Sequence, residues 1–482
     1  MLGENKANDS QILKYSLIKD FFDSFQLIKL EGIPLPQCLI GLYIKYITPV
    51  VNSNLNNETL INNYKTKYRF VTMKDIQQSL INYEIQEVPL EKNQKNILMS
   101  NEYLHFSCDQ LKEYGVYLYG INNPFSNLPS HIHYVPLTRR LVQFRRSSRK
   151  EQLMLQEQAQ QILMRNKQHF LFGSLQFQQW LIKSLAHIIR WVKTLDDIVQ
   201  TIKPAVIVDP VEISIFGTIL GLLAKKYKIP FINMPVLLIN DRSLLPTRAD
   251  HYIVWGDRQK DWLIERGILA DKITLAGNVG YWYEQQKKEQ VSKDQLYKKL
   301  NIPKTMKLFV FTTQPFGNPN KIISNWLSNL PENNCMVIIK KHRNDTTSYE
   351  LLQNKKNILI CPEDIGLYDL LHNAEALLTI SSNTAIQAAL LNIPLIILQP
   401  RIPYDFELNY DNSNVHLVRE NAGAAIYNPV DLITALNNIV LEGSFRSELV
   451  DRGKEYLGKV LHSTDQAHIL AKNQIVKLMN NK

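Results

Sequence analysis

The chain has 482 residues, 45% hydrophobic and 21% charged, which is a globular composition with core enough for roughly two to three domains. No run of about 18 uncharged apolar residues occurs, so no membrane-spanning helix is expected. The net charge of +10 favours an anionic partner (nucleotide, phospholipid surface or nucleic acid) without choosing among them.

The opening MLGENKANDSQ lacks the charged, apolar and small-residue order of a signal peptide. Cys38, Cys108, Cys335 and Cys361 are scattered, without metal-ligand spacing, and read as reduced core cysteines of a cytosolic protein. Ile12–Leu30 has helical periodicity, carried by Leu13, Leu17, Phe21, Phe22 and Phe25. Leu39–Val51 is a buried strand or a buried helix, and periodicity does not separate the two. Lys95–Leu104 and Val116–Ile121 read as strands, the second ending in the turn signal Asn122-Asn123-Pro124. His131 and His133 could face one ligand from a strand, but no third ligand is near, and a surface turn is the plainer reading.

Arg139–Lys150, RRLVQFRRSSRK, is the densest basic run, six basic residues interleaved with Leu141, Val142 and Phe144. Such a run is a solvated helix face, a contact for an anionic membrane surface, or a nucleic-acid contact. Gln176–Leu195 follows as a helix whose apolar stripe belongs to a core.

An α/β pattern then begins. Ala205–Val208 is a strand, Ser214–Lys226 a helix in which Gly217 and Gly221 permit close packing, and Ile229–Met234 another strand. Asp209 and Glu212 therefore sit at a strand's carboxyl end, where catalytic groups collect in this architecture. Either could be a general base, or could simply cap the following helix. Arg248–Gly256 is a strand, Asp257–Arg266 a helix closed by Gly267, and Ile273–Ala276 a short strand ending at Gly277-Asn278. Tyr281–Leu300 is polar, rich in Gln and Lys, and helical in pattern; this shift of composition marks a domain boundary near residue 285.

The α/β pattern restarts beyond it. Leu308–Thr312, Met336–Ile339, Asn357–Cys361, Ala376–Ile380, Leu395–Leu398, Leu417–Arg419 and Ala424–Ile426 read as strands. Lys321–Asn329, Leu432–Leu441, Ser444–Tyr456 and a closing Thr464–Met479 read as helices. Three strand ends carry polar residues: Thr312-Thr313-Gln314, Lys340-Lys341-His342-Arg343 and Ser381-Ser382-Asn383-Thr384. In a doubly wound sheet such ends line one crevice, and three cations, a histidine and a helix start there would suit a pyrophosphate. Taken alone, the Ser381–Thr384 turn is equally what an ordinary helix cap looks like.

The succession ADHYIVWGDRQKDWLIERGI, ADKITLAGNVGYW, FTTQP, VIIKKHRND and ALLTISSNTAIQAALLNIPLIIL resembles the GT-B superfamily over about Ala205–Leu441. The nearest branches are the UDP-N-acetylglucosamine 2-epimerase-like and the CDP-glycerol glycerophosphotransferase-like polysaccharide proteins. The resemblance implies an α/β fold of two Rossmann-like lobes with a cleft between them. Residues 1–285 would be an acceptor lobe with helical additions, 286–460 a nucleotide-donor lobe, and 461–482 a closing helix. Ser381 and Ser382 would contact the donor phosphates, with Asn383 and Thr384 opening the helix. His342 would stabilise the leaving phosphate, with Lys340, Lys341 and Arg343 beside it. Gln314 would lie near the base or phosphate, and Gly277-Asn278 would form the hinge-side turn.

The sequence departs from the family at two positions. Arg343 stands where Pro usually follows the histidine, and Gln387, seven residues before Pro394, stands where many relatives carry a ribose-binding Glu. No DxD metal pattern is present, so metal-independent chemistry and no cofactor are expected. The implied function is transfer of a sugar or polyol phosphate from a UDP- or CDP-linked donor to a glycan or lipid-linked acceptor, in surface polysaccharide biosynthesis. Asp209, Glu212 and His342 are the candidate catalytic residues. The expected place is the cytoplasm, with peripheral contact through Arg139–Lys150 on the inner membrane face. Nucleic acid is not an expected partner, since the basic residues lack an interleaved aromatic platform. The alternatives are a nucleotide-sugar 2-epimerase and a non-catalytic GT-B partner subunit.

Overall fold

A computed structural model describes residues 5–121, 125–286, 291–400, 416–462 and 465–480, so the Asn122–Pro124 turn and Thr464 lie outside the described residues. The chain divides into two compact units. One comprises Glu4–Tyr283 with Ser463–Lys482, the other Glu284–His462.

The first unit opens with the helix Asp9–Phe25 and a small antiparallel pair, β1 (Lys29–Leu30) and β2 (Ile33–Pro34). The short helix Leu35–Cys38 and the longer Ile40–Ser53, Glu58–Tyr68 and Met73–Ile81 precede its main sheet, so the ambiguous 39–51 stretch is a helix. The sheet is built from β3 (Asn93–Ser100), β4 (Gly115–Gly120), β5 (Ile132–Pro136), β6 (Pro204–Asp209), β7 (Phe231–Asn233), β8 (His251–Val254) and β9 (Ile273–Leu275). Its order is β5-β4-β3-β6-β7-β8-β9, and every pair is parallel. The order reverses between β3 and β6, the arrangement of a doubly wound sheet.

Between β5 and β6 the chain inserts helices Leu137–Ser147, Arg149–Arg165 and Leu175–Ile202. The last has 28 residues, is capped by Ser174 on the Phe177 N–H, and stops where Lys203 takes a left-handed conformation. Rings of Phe21, Phe25, Tyr43, Phe172, Phe177 and Trp180 interlock the early helices with this insertion at centroid separations of 4.3 to 6.5 Å. Beneath them Asp20 is buried and accepts from Tyr64, Lys67, Tyr68 and His169. The basic run is helical, with Arg140 paired to Asp197 at 2.8 Å and Val142 exposed. The closing helix, Ala467–Asn480, packs onto this unit: Ala467, Ala471, Ile475 and Met479 share a core with Ile97, Val206 and Ile253. His468 stacks on Trp282 with ring centroids 3.7 Å apart.

The second unit carries β10 (Lys307–Thr312), β11 (Cys335–Lys340), β12 (Ile358–Ile360), β13 (Ala376–Thr379), β14 (Leu395–Leu398) and β15 (Ala424–Ile426). The order is β12-β11-β10-β13-β14-β15, again all parallel, with the reversal between β10 and β13. The four inner strands β10, β11, β13 and β14 are almost wholly buried, as expected for a sheet covered on both faces.

Two sequence expectations change here. Leu417–Arg419 is not a strand but part of the short helix His416–Arg419: its three residues are too few to show a period, and the buried Leu417 with the His416–Tyr456 hydrogen bond of 2.9 Å sets the turn. The polar segment 281–300 is not one helix. It forms Val279–Gln285 and Lys293–Leu300, the second opened by a capping box of Ser292 and Gln295.

Candidate functional site

Open α/β sheets hold ligands outside the carboxyl ends of the strands where the order reverses, because there the flanking loops part to opposite faces. In the second unit that position is flanked by Thr312-Thr313-Gln314 after β10 and by the Ser381–Thr384 turn after β13. The structure brings these two segments together. The Gln314 Nε2–H donates to the Ser381 carbonyl at 2.7 Å, and the Ser381 N–H donates to Gln314 Oε1 at 2.8 Å. Thr312 and Thr384 hydroxyls share a hydrogen bond of 2.8 Å. Gln314 is itself held from behind, its carbonyl accepting from the buried Asn320 at 2.7 Å.

Asn383 stands at the start of the Thr384–Leu390 helix, and Ser382 Oγ accepts from the Thr384 N–H at 3.2 Å. Ser381, Ser382, Asn383 and Thr384 are all half-buried, so the turn is ordered yet reachable. Gln387 lies one turn into the helix and donates to the Tyr368 hydroxyl at 3.3 Å. Nothing in the sequence paired Tyr368 with Gln387, since 19 residues separate them.

The basic end of β11 is partly tied into its own unit. The Lys340 ammonium donates to the Ile365 carbonyl and the Lys341 ammonium to the Thr347 carbonyl, so both lysines tie down loops of their own unit. Of the four, His342 and Arg343 are exposed and the two lysines half-buried, because buried loop carbonyls need donors and lysine tails reach them. The His342 N–H donates to Thr313 Oγ1 at 2.9 Å, and its Nδ1 accepts from the Asn344 N–H at 3.1 Å. That leaves Nε2 as the outward nitrogen. Partial burial first, then the neighbouring Arg343, holds the imidazole pKa below its usual value, so the ring is neutral at pH 7. Asp345 organises this loop by accepting from the Thr347 N–H at 3.0 Å and the Tyr349 hydroxyl at 2.8 Å.

In the first unit, Asp209 ends β6 and is 2% exposed. It accepts from the Tyr119 hydroxyl at the end of β4 and from the Val211 N–H. The following helix is capped by Ser214, so neither Asp209 nor Glu212 is its cap. Gly217 is required here: a Cβ would fall 2.6 Å from Asp209 Oδ1 and 2.3 Å from the Val211 carbonyl. Burial pushes the Asp209 carboxyl up to about 6, against the pull of its Tyr119 and Val211 hydrogen bonds. Glu212 is pushed up to about 7, again by burial first. Both Glu212 oxygens are occupied, by the Thr247 hydroxyl and the Arg248 N–H at 2.6 Å each. Glu212 therefore fastens the loop before β8.

His133 lies in β5 and His131 directs its Nε2 at the Ser107 carbonyl, 3.3 Å away; among the described residues no three His, Cys, Asp or Glu side chains gather as a metal-ligand set. Among the described residues, no helix is long and apolar enough to cross a membrane. At the turn after β9, Gly277 takes a positive φ of 89° and Asn278 Oδ1 accepts from the Tyr281 N–H at 3.0 Å.

No protein-family model and no curated protein matches the chain. Solved structures do. A candidate UDP-N-acetylglucosamine 2-epimerase from Listeria monocytogenes is 13% identical, with 79% of this chain and 94% of that one covered at a TM-score of 0.51. UDP-GlcNAc 2-epimerase from Neisseria meningitidis is 14% identical over 79% and 99% of the two chains, with a TM-score of 0.49. The wall teichoic acid polymerase TagF is 12% identical over 89% and 97%, with a TM-score of 0.48. At these identities the likeness is one of fold; the Listeria match carries it, and nothing rests on the two below 0.5. With two doubly wound parallel sheets in one chain, the protein has the GT-B type of α/β fold.

Proposed function

We propose that this protein is a GT-B glycosyltransferase-like enzyme of surface polysaccharide biosynthesis, moving a sugar or polyol phosphate from a UDP- or CDP-linked donor to a glycan or lipid-linked acceptor. The donor belongs to the Glu284–His462 unit and the acceptor to the other. The observation that carries the reading is the Gln314–Ser381 pair, which holds the two strand ends of the reversal point together and leaves the Ser381–Thr384 turn half-buried beside it. Ser381 and Ser382 would donate to the diphosphate oxygens, with Asn383 and Thr384 ordering the turn. His342 Nε2 and Arg343 supply donors for the charge that develops on the leaving group, which makes metal-independent chemistry the expected course. Gln387, steadied by Tyr368, offers Oε1 to the ribose diol. Lys340 and Lys341 act at one remove, by ordering the loops around His342.

Asp209, at the end of β6, is the proposed base on the acceptor side, with Glu212 the other candidate; in each carboxylate both oxygens accept a hydrogen bond. At pH 7 a carboxyl titrating at about 6 is largely ionised and still basic enough to take a proton. The run Arg139–Lys150, which spans the end of the Leu137–Ser147 helix and the start of Arg149–Arg165, is the proposed contact with the cytoplasmic membrane face; cell fractionation that is unchanged after removal of its charges would refute it.

A second reading, a nucleotide-sugar 2-epimerase, is motivated by the fold likeness to the Listeria protein. A third is a non-catalytic partner subunit, motivated by Gln387 in place of an acid. Titration of the purified protein with UDP, CDP, GDP and CMP separates them. Selective binding of one nucleotide, lost in His342→Ala and Ser382→Ala, supports a donor site. An epimerised product formed without acceptor moves the assignment to the epimerase, and no binding at all moves it to the partner subunit.

A further inference from the structure

The first unit holds a cavity of about 640 Å³ away from the carboxyl ends of its strands. Ile229 and Pro230, which line it, immediately precede β7, and Asp250 immediately precedes β8, so the cavity opens at the amino-end edge of the sheet. Its volume lies within the roughly 300–1,000 Å³ usual for ligand sites. Ile81, Ile85, Ala224, Ile229, Pro230 and Leu478 form an apolar wall.

At one part of the lining sits Arg248. Its guanidinium donates to Gln37 Oε1 at 3.1 Å, to the Leu80 carbonyl at 3.3 Å and to the Pro246 carbonyl at 3.4 Å. These are neutral acceptors, and they use three of the five guanidinium N–H groups. Among the described residues no carboxylate pairs with the guanidinium; Glu212 accepts from the Arg248 backbone instead. Arg248 is half-buried and the charge of nearby Glu212 partly offsets its own, which leaves the guanidinium's remaining N–H groups as donors for a second anion. Gln37 is a second observation. It lines the same cavity, is 2% exposed, and its Nε2 has no hydrogen-bond partner. A buried amide donor without an acceptor carries a desolvation penalty that a ligand oxygen would remove.

The other charges on the lining have partners of their own. Lys228 and Glu87 satisfy each other at 2.6 Å, and Asp250 accepts from the Phe231 N–H at 2.9 Å. Lys225, exposed on the lining, adds a further positive charge.

We propose that this cavity binds an amphipathic anion, with a carboxylate or phosphate head on Arg248 and Gln37 and an apolar body along Ile81, Ile85, Ile229 and Leu478. The site is separate from the donor crevice of the other unit, and its existence does not depend on the transferase reading.

The test is calorimetric titration of the full chain at low salt with octyl phosphate, octanoate and inorganic phosphate. Saturable one-to-one binding of octyl phosphate or octanoate is expected, the tighter of the two naming the head group. Gln37→Glu places a carboxylate beside Arg248, supplies the counter-charge internally, and should weaken binding at least about tenfold. Lys225→Glu changes only an exposed residue and should weaken it about threefold at low salt; it serves as the test if Gln37→Glu shows no cooperative thermal transition. The proposal is overturned if neither amphiphile binds saturably, if the folded variants bind as the parent does, or if inorganic phosphate binds as tightly as octyl phosphate.

Discussion

Gln314 and Ser381, 67 residues apart in sequence, are joined by two hydrogen bonds in which one side-chain amide satisfies both the N–H and the C=O of one residue. A glutamine amide can do this because it carries a donor and an acceptor side by side. Ser381 is thereby held as though it had a strand neighbour, after the strand itself has ended. Gln314→Leu should remove both bonds and leave two half-buried backbone groups without partners. The expected loss is about 1–3 kcal/mol in chemical denaturation. On the proposed function, nucleotide affinity falls at least about tenfold, because the phosphate-facing turn is no longer pre-organised.

Gln387 donates to the Tyr368 hydroxyl. In Gln387→Glu the carboxylate can accept from that hydroxyl and still present an oxygen, now charged, to a ribose diol. Charge-assisted hydrogen bonds are roughly twice as strong as neutral ones, so nucleoside diphosphate affinity should rise by about threefold to tenfold. Titration calorimetry of both proteins checks this; equal affinities would remove Gln387 from the donor site.

Asp209 titrates at about 6 in the fold against an ordinary value of 3.8, because burial disfavours its charged form. Its ionised form accumulates above pH 6, so a reaction using it as base should rise with pH through that value. Asp209→Asn should abolish that limb. The stability effect has the opposite sense: the raised pKa favours the fold fully below 3.8 and loses that contribution between 3.8 and 6. The parent should therefore lose about 3 kcal/mol relative to Asp209→Asn over that range. Gly217→Ala, which would press a methyl against Asp209 and the Val211 carbonyl, should shift the kinetic pKa as well as lower stability.

Asp20 shows the reverse sign. Burial alone would raise it, but hydrogen bonds from His169, Lys67, Tyr68 and Tyr64 bring its carboxyl down to about 2. A lowered pKa contributes stability above the unfolded value of 3.8 and loses it as pH falls towards 2. At pH 7 that contribution is about 2 kcal/mol, and Asp20→Asn should lose it. The measurement is the denaturation midpoint at pH 7 and pH 3; the difference between parent and variant should shrink at the lower pH.

Much of the architecture was legible because it rests on local rules. Apolar β-branched runs such as 308–312 and 395–398, each followed by a polar turn and a helical period, are short-range patterns that survive in any tertiary context. Ser214 starts its helix because its hydroxyl satisfies a free N–H of the first turn wherever the helix lies. The polar ends of β10, β11 and β13 were visible for the same reason, as was the family-like order of segments around them. Short or balanced stretches failed: Leu417–Arg419 has too few residues to show a period, and 281–300 is polar enough to hide the break between two helices.

The sequence by itself thus determined the parallel α/β character of the chain, its restart beyond residue 285, and which strand ends carry polar groups, since each follows from the backbone and solvation preferences of neighbouring residues. Only the tertiary structure decided the strand order that sets β10 beside β13, the Gln314–Ser381 clasp and the Tyr119–Asp209 pair across 90 residues. It also decided that Lys340 and Lys341 turn to loop carbonyls and that the closing helix packs on the first sheet. These depend on which distant groups meet once the core is buried. There each polar group takes whatever partner lies within reach, and no local pattern encodes that choice.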